Sequence, residues 1–446
     1  MTILIPLLVG LAFLLFLILR LKIPAFLALL IATISIGILS GIPSGKIFDT
    51  IQNGMGNTLG YVATVVGLGA LFGALLEKTG GAQQLAQQLL ARAGQKNATW
   101  ALLLIGFILA IPVFFDVAFI ILIPVLYALQ KQSGHSLLLY ALPLLAGLAV
   151  THAFIPPTPG PIAVADILGA ELGWVILAGL LTGIPASVAA GIVFGRLVAV
   201  KIFVAAPKID TLSNNGTPTI APPKLHVILS ILLLPLILIV VKALIKAGVI
   251  VALPTIFSQT LLFLGHPFAA LIIANLLAWY LLGVVRGYSR SVLLKISLAS
   301  LAPAGSIILL TGAGGALKEM LITTSIGVEM AQMWFGNQDS FLIVAFGTAA
   351  IVRILQGSST VAMITAAGIM APLIENTTLG SFQLSLLVVA IASGASIFSH
   401  VNDSGFWLVS QYLGMTEKQT FRSWTVMTTI LAVTGFAMAC FINFWV

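Results

Sequence analysis

Seven residues, Ser399-His400-Val401-Asn402-Asp403-Ser404-Gly405, interrupt an apolar run that is otherwise suited to crossing a bilayer. Polar and ionisable groups are expensive in hydrocarbon, a charged side chain costing about 2.5–3.5 kcal/mol at the helix centre on insertion scales, so such a cluster points to a ligand. A second interruption, Thr151-His152-Ala153-Phe154-Ile155-Pro156-Pro157-Thr158-Pro159-Gly160-Pro161, follows another apolar run and also begins with a hydroxyl residue and histidine. Polar groups fall inside two further apolar stretches: Asp116, between Phe115 and Val117, and Arg353-Ile354-Leu355-Gln356-Gly357-Ser358-Ser359-Thr360.

Each set suggests a chemistry and also has a plainer role. Asp116 has no basic neighbour in sequence; an acid in a dry site suits a proton carrier, and an acid at a helix start also caps it. His152 and His400 titrate near neutrality and could relay a proton or donate to an anion, or bond loose carbonyls at the breaks. Asn402, Asp403 and Ser404, with Thr151 and Thr158 opposite, offer donors and acceptors for a polyhydroxylated substrate or an ion, or cap ordinary helices. Gln356, Gly357, Ser358, Ser359 and Thr360 form a turn whose following helix presents free N–H groups, a ready anion site. Arg353, one turn earlier, has the planar geometry to clamp a carboxylate, and could instead pair with Asp403 or Asp116. The proton-coupling candidates are therefore Asp116, Asp403, His152 and His400. The remaining polar residues, together with His152, are substrate-binding candidates.

The elements that must position these groups follow from composition. Of 446 residues, 60 % are hydrophobic and 7 % charged, and the mean hydropathy is +1.17, against about a quarter charged in soluble domains. The expected class is an all-α polytopic membrane protein. Apolar spans of about 20 residues are expected at 3–19, 23–39, 59–76, 137–168 with its break, and 174–200, then at 225–244, 267–282, 301–316, 384–413 with its break, and 426–445. A helical segment is expected at 326–334. The stretch 99–130, holding Pro112, Asp116 and Pro124, is too long for one span and short for two, and reads as a re-entrant hairpin; 341–372 is its counterpart. Residues 201–224 carry Pro, Gly, Ser, Asn and Thr without apolar period and read as a cytoplasmic linker.

These features recur in order, dividing the chain into repeats 1–200 (break at 151–161) and 225–446 (break at 399–405), each of about five transmembrane helices plus a re-entrant hairpin and a broken helix. Five crossings per half is an odd number, which inverts the second half. With both termini outside, fifteen Lys and Arg lie inside and four outside, Arg353 being in the second hairpin, the expected positive-inside bias. Inverted repeats place a transport site between the halves near the midplane.

The basic residues are scattered singly, which argues against nucleic acid despite a net charge of +8. A lone cysteine, Cys440, allows neither a disulfide framework nor a cysteine metal site. No nucleotide-phosphate, dinucleotide, nucleophile-elbow or zinc pattern is present, so no cofactor, no metal and no enzymatic activity are expected. Sodium coupling, a passive channel and an intramembrane enzyme using His and Asp are the alternatives to a proton-driven transporter.

Pro112 to Pro124, His152 to Pro161, Gln356 to Ala362 and Ser399 to Trp407, taken together and in this order, resemble the gluconate permease family of the ion transporter superfamily. The resemblance spans essentially the whole chain. It implies proton-coupled uptake of gluconate or a related small hydroxylated carboxylate across a bacterial inner membrane, with idonate, fructuronate and D-serine as substrates of relatives. It also implies a scaffold domain and a hairpin-bearing transport domain, commonly in a homodimer with elevator-like motion. Two positions depart from the family pattern: Asp116, where members usually have Glu, and Thr158, where many have His.

Overall fold

The computed structural model describes residues 4–207, 222–250, 254–324, 340–375, 377, 379–401 and 403–446. The expected segment 326–334, most of the linker and Asn402 lie outside the described residues. Every regular element among the described residues is helical, and eight helices are long and apolar enough to cross a membrane.

The two longest helices, Ser44–Lys78 and Arg290–Thr323, pack on each other more extensively than any other pair. Their backbones nearly touch. A Cβ added to Gly54 would lie 2.6 Å from the Gly315 carbonyl oxygen, and one on Gly315 would lie 2.3 Å from Thr58 Oγ1. Small residues at this crossing are what permit the approach. Both helices begin well before the expected spans at 59 and 301. Hydropathy detects only the apolar part of a helix, and the first four turns of Ser44–Lys78 carry Asp49, Gln52, Asn53 and Asn57. Two helices without an expected counterpart, Gly81–Ala93 and Thr255–Leu264, are each too short to register as a span.

Four helices are interrupted. Ala98–Leu109 gives way to Phe115–Ser133, Leu138–Phe154 to Pro159–Leu168, Ser340–Gln356 to Ser359–Ile374, and Ser381–Ser396 to Ser404–Leu413. The causes are local. Pro112 lies in the first gap, Pro156 and Pro157 fill the second, and proline both lacks the N–H a helix needs and restricts the residue before it. Gly357 opens the third gap with φ +89°. In the fourth, Phe398 takes φ +49°, an uncommon conformation for a residue with a side chain. Leaving aside Gly81–Ala93, the described elements after Arg290 repeat the order seen after Ser44: a long helix, two interrupted helices, and a helix carrying a π-turn (Val188–Val193 in one case, Phe421–Thr425 in the other).

The interrupted helices form the interior. Leu138–Phe154, Ser359–Ile374 and Ser381–Ser396 are buried along most of their length, while outer helices present Ile256, Phe263 and Leu276, the first 82 % exposed. An apolar exterior around a core that contains the polar breaks is the arrangement a bilayer selects.

Candidate functional site

Arg353 occupies the last turn of Ser340–Gln356 and is only 5 % exposed. Its Nη1 donates to the Gly357 carbonyl, which the left-handed backbone at Gly357 turns back toward the guanidinium. Its Nη2 donates to Asp403 Oδ2 in an ion pair. Nε is buried with no partner among the described residues. A permanent cation at this depth requires an anion, and Asp403 supplies it.

Asp403 is held from several sides. It caps Ser404–Leu413, its Oδ1 accepting from the Gly405 N–H at 3.0 Å. The Ser399 hydroxyl donates to Oδ2 at 2.5 Å. Ser399 is itself fixed, accepting at Oγ from Trp424 Nε1–H at 2.6 Å and at its carbonyl from Thr425 Oγ1–H at 2.5 Å, while its N–H donates to Thr428 Oγ1 at 3.2 Å. The break at 397–403 is thus tied to the helix that begins in the π-turn.

The turn after Arg353 is a small capping device. Gln356 Oε1 accepts from the Ser358 N–H at 3.0 Å, and Ser358 Oγ accepts from the Val361 N–H at 3.3 Å. The N–H groups of Ser359 and Thr360, in the first turn of their helix, have no intrahelical acceptor. Opposite, Asp116 lies in the first turn of Phe115–Ser133 with its side chain exposed. The His152 ring stands edge-on to Phe114 at 6.5 Å, with Nδ1 buried and unpartnered among the described residues.

These groups surround a cavity of about 400 Å³ whose lining includes Asp116, His152, Arg353, Gln356 to Thr360, Asp403 and Ser404. A second cavity of about 340 Å³ shares Phe115, Asp116, His152 and Thr360 and reaches Pro159 and Gly160. The first residues of four helices (starting at Phe115, Pro159, Ser359 and Ser404) therefore face two adjoining spaces. Helix starts carry partial positive charge and free donors. With Arg353 the only cation lining either cavity among the described residues, the arrangement can bind a small carboxylate through charge-assisted hydrogen bonds and its hydroxyls through Ser, Thr and Gln groups. The volume falls within the range of small-molecule sites.

Not every polar residue at the breaks reaches these spaces. Thr151 is fully buried with Oγ1 unpartnered among the described residues, one residue before His152. Thr158 donates to the Ile155 carbonyl at 2.6 Å and lines a void of about 20 Å³ rather than either of these cavities. His400 Nε2 is bonded to the Ile354 carbonyl at 2.9 Å, the plainer of the roles the sequence allows it. Conversely, Trp424 and Thr428 line the cavity. Their only signal in sequence is an amphipathic ring beside Arg422 at the start of the last span, which reads equally as an interfacial anchor.

A model of GntP family permeases matches residues 1–445. The gluconate permease of Pseudomonas aeruginosa is 38 % identical over 423 residues, covering 94 % of this chain and 92 % of that protein. The high-affinity gluconate transporter of Escherichia coli K12 is 35 % identical, covering 98 % of both. The gluconate permease of Bacillus subtilis is 33 % identical, covering 96 % of both. Among solved structures, the YdaH transporter of Alcanivorax borkumensis superposes with a TM-score of 0.68 over 94 % of this chain and 98 % of that one, at 13 % identity, a likeness of fold.

Proposed function

The chain belongs to the GntP permease family, a family of multi-pass inner-membrane permeases rather than enzymes, and from that premise we propose that it takes up gluconate or a related small hydroxylated carboxylate by proton symport. The observation that carries the reading is a buried guanidinium in a cavity of about 400 Å³ lined by three helix starts, with a fourth facing the adjoining cavity of about 340 Å³. A sugar acid has one carboxylate for Arg353 and the N–H groups of Ser359 and Thr360, and several hydroxyls for Gln356, Ser358, Thr360 and Ser404. Relatives named for gluconate support that substrate.

In this reading Asp116, Asp403 or His152 carries the proton, since all three line the cavity; His400, bonded to a backbone carbonyl, orients its break. The recurring element order supports two repeats, 1–200 and 225–446, which the Lys and Arg distribution orients as inverted with both termini periplasmic, and interrupted helices of 12 to 19 residues support re-entrant hairpins. Packing of the long helices Ser44–Lys78 and Arg290–Thr323 suits a static scaffold in a homodimer, against which the interrupted helices move as an elevator.

Purified protein in proteoliposomes tests this. Gluconate should accumulate when an inward proton gradient is imposed, and replacing sodium at constant pH should leave uptake unchanged. Accumulation indifferent to the proton gradient, or dependent on sodium, refutes proton symport.

A further inference from the structure

We propose that Asp403 is the resident occupant of the substrate carboxylate's seat: an incoming carboxylate takes its place on Arg353, and Asp403 leaves the ion pair by taking up one proton. This rests on the reading of the cavity as an anion-transport site and goes beyond it, naming both the carrier and the step that links it to substrate.

The guanidinium offers a carboxylate two bidentate edges, Nη1 with Nη2 and Nε with Nη2. Both include Nη2, the nitrogen held by Asp403. Nη1 is engaged by the Gly357 carbonyl, whereas Nε is buried with no partner among the described residues. The open edge is therefore Nε with Nη2, and a substrate docking there meets Asp403 on the shared nitrogen. Two carboxylates on one buried guanidinium cannot both stay charged without a large penalty. The substrate is the partner that enters and leaves, whereas Asp403 is fixed by its backbone and lines the cavity, so the proton is assigned to Asp403.

The balance is simple. Arg353 cation with Asp403 anion, plus substrate anion and one proton, gives Arg353 cation with substrate anion, plus neutral Asp403. No bond other than O–H forms. Neutral Asp403 keeps its place, since Oδ1 still accepts from the Gly405 N–H and Oδ2, now a hydroxyl, still has a lone pair for the Ser399 O–H while its own proton faces the side that Arg353 has left. The other titratable groups facing this exchange are Asp116 at the start of Phe115–Ser133, His152 on Leu138–Phe154, and His400 within the break, held by the Ile354 carbonyl.

Proton uptake on binding can be read with a pH indicator in weakly buffered detergent solution. Wild-type protein should take up one proton per gluconate bound, and binding should tighten about tenfold per unit fall in pH over the range where only the empty site is ionised. Asp403→Asn should bind gluconate with no proton uptake and no pH dependence. Wild-type binding without proton uptake, or uptake that persists in Asp403→Asn, overturns the exchange and leaves the anion site standing. Absence of any aldonate binding to wild-type protein removes the site itself. Should Asp403→Asn fail to fold, difference infrared spectroscopy of the wild type decides: gluconate must raise the C=O stretch of a protonated aspartic acid, shifted by 13C-aspartate labelling, and its absence overturns the proposal.

Discussion

Removing one partner of the Arg353–Asp403 pair should be far more damaging than removing both. Among the described residues, Arg353→Met leaves the Asp403 carboxylate with the Ser399 hydroxyl and the Gly405 N–H; Asp403→Asn leaves the guanidinium with the Gly357 carbonyl and a neutral amide. The two side chains are 6 % and 13 % exposed, so solvent screens neither residual charge well. Breaking a buried pair in this way costs about 3–5 kcal/mol, whereas replacing both members is often close to neutral. Asn retains the helix-capping oxygen, so the double variant Arg353→Met with Asp403→Asn should recover at least about 2 kcal/mol relative to the sum of the singles, within the range of measured pair couplings. The assay is SDS-titrated unfolding in mixed micelles, followed by tryptophan fluorescence. Gluconate should restore much of the stability lost in Asp403→Asn, because its carboxylate re-pairs the guanidinium, and should do nothing for the double variant. Additive single-variant losses, or equal stabilisation of both variants by gluconate, would refute the reasoning.

Exchange at Arg353 also makes the loaded and empty sites equal in charge, so uptake driven by a fixed pH gradient should be unchanged by an imposed potassium-diffusion potential; an inward-negative potential that accelerates it several-fold contradicts one proton per anion. Gly73→Ala should impair transport out of proportion to its size, because the added Cβ would lie 1.9 Å from the Pro112 carbonyl oxygen and force apart the long helix and the turn that sets Asp116; the check is uptake rate against the protein's melting temperature. Gly357→Ala should cost about 1–2 kcal/mol for the left-handed backbone alone and should weaken gluconate binding by turning the carbonyl away from Arg353, read by calorimetry. His266, just before the span that starts at Pro267, caps its helix by accepting the Phe268 N–H at Nδ1, and burial followed by the nearby Lys242 and Lys246 lowers its pKa below the ordinary 6.5. Its contribution to stability should therefore be complete above that ordinary value and fade as pH falls through the lowered one, and a melting-temperature series should show His266→Asn, which caps without titrating, losing less on acidification.

The parts of this architecture that were legible in sequence are those where a local rule is broken at membrane depth. Proline pairs, Gly357 and the polar run at 399–405 each deny the backbone a helix, and the gaps fall where those residues stand. The same polar residues then line the cavity, because a break exposes backbone donors and gathers side chains that hydrocarbon excludes. Helix ends were harder: the polar first turns of Ser44–Lys78 extend beyond any apolar window. Hardest was the division of labour within each break. His152 and His400 occupy equivalent sequence contexts, yet one lines the cavity and the other is spent on the Ile354 carbonyl, and only the packing of Ser340–Gln356 against Ser381–Ser396 decides that. Sequence likewise left Arg353 with two readings, substrate clamp or ion pair with a resident acid. The proposed exchange would make them successive occupancies of one nitrogen: the resident carboxylate keeps a permanent charge tolerable while the site is empty, and it is the group whose displacement a proton would complete.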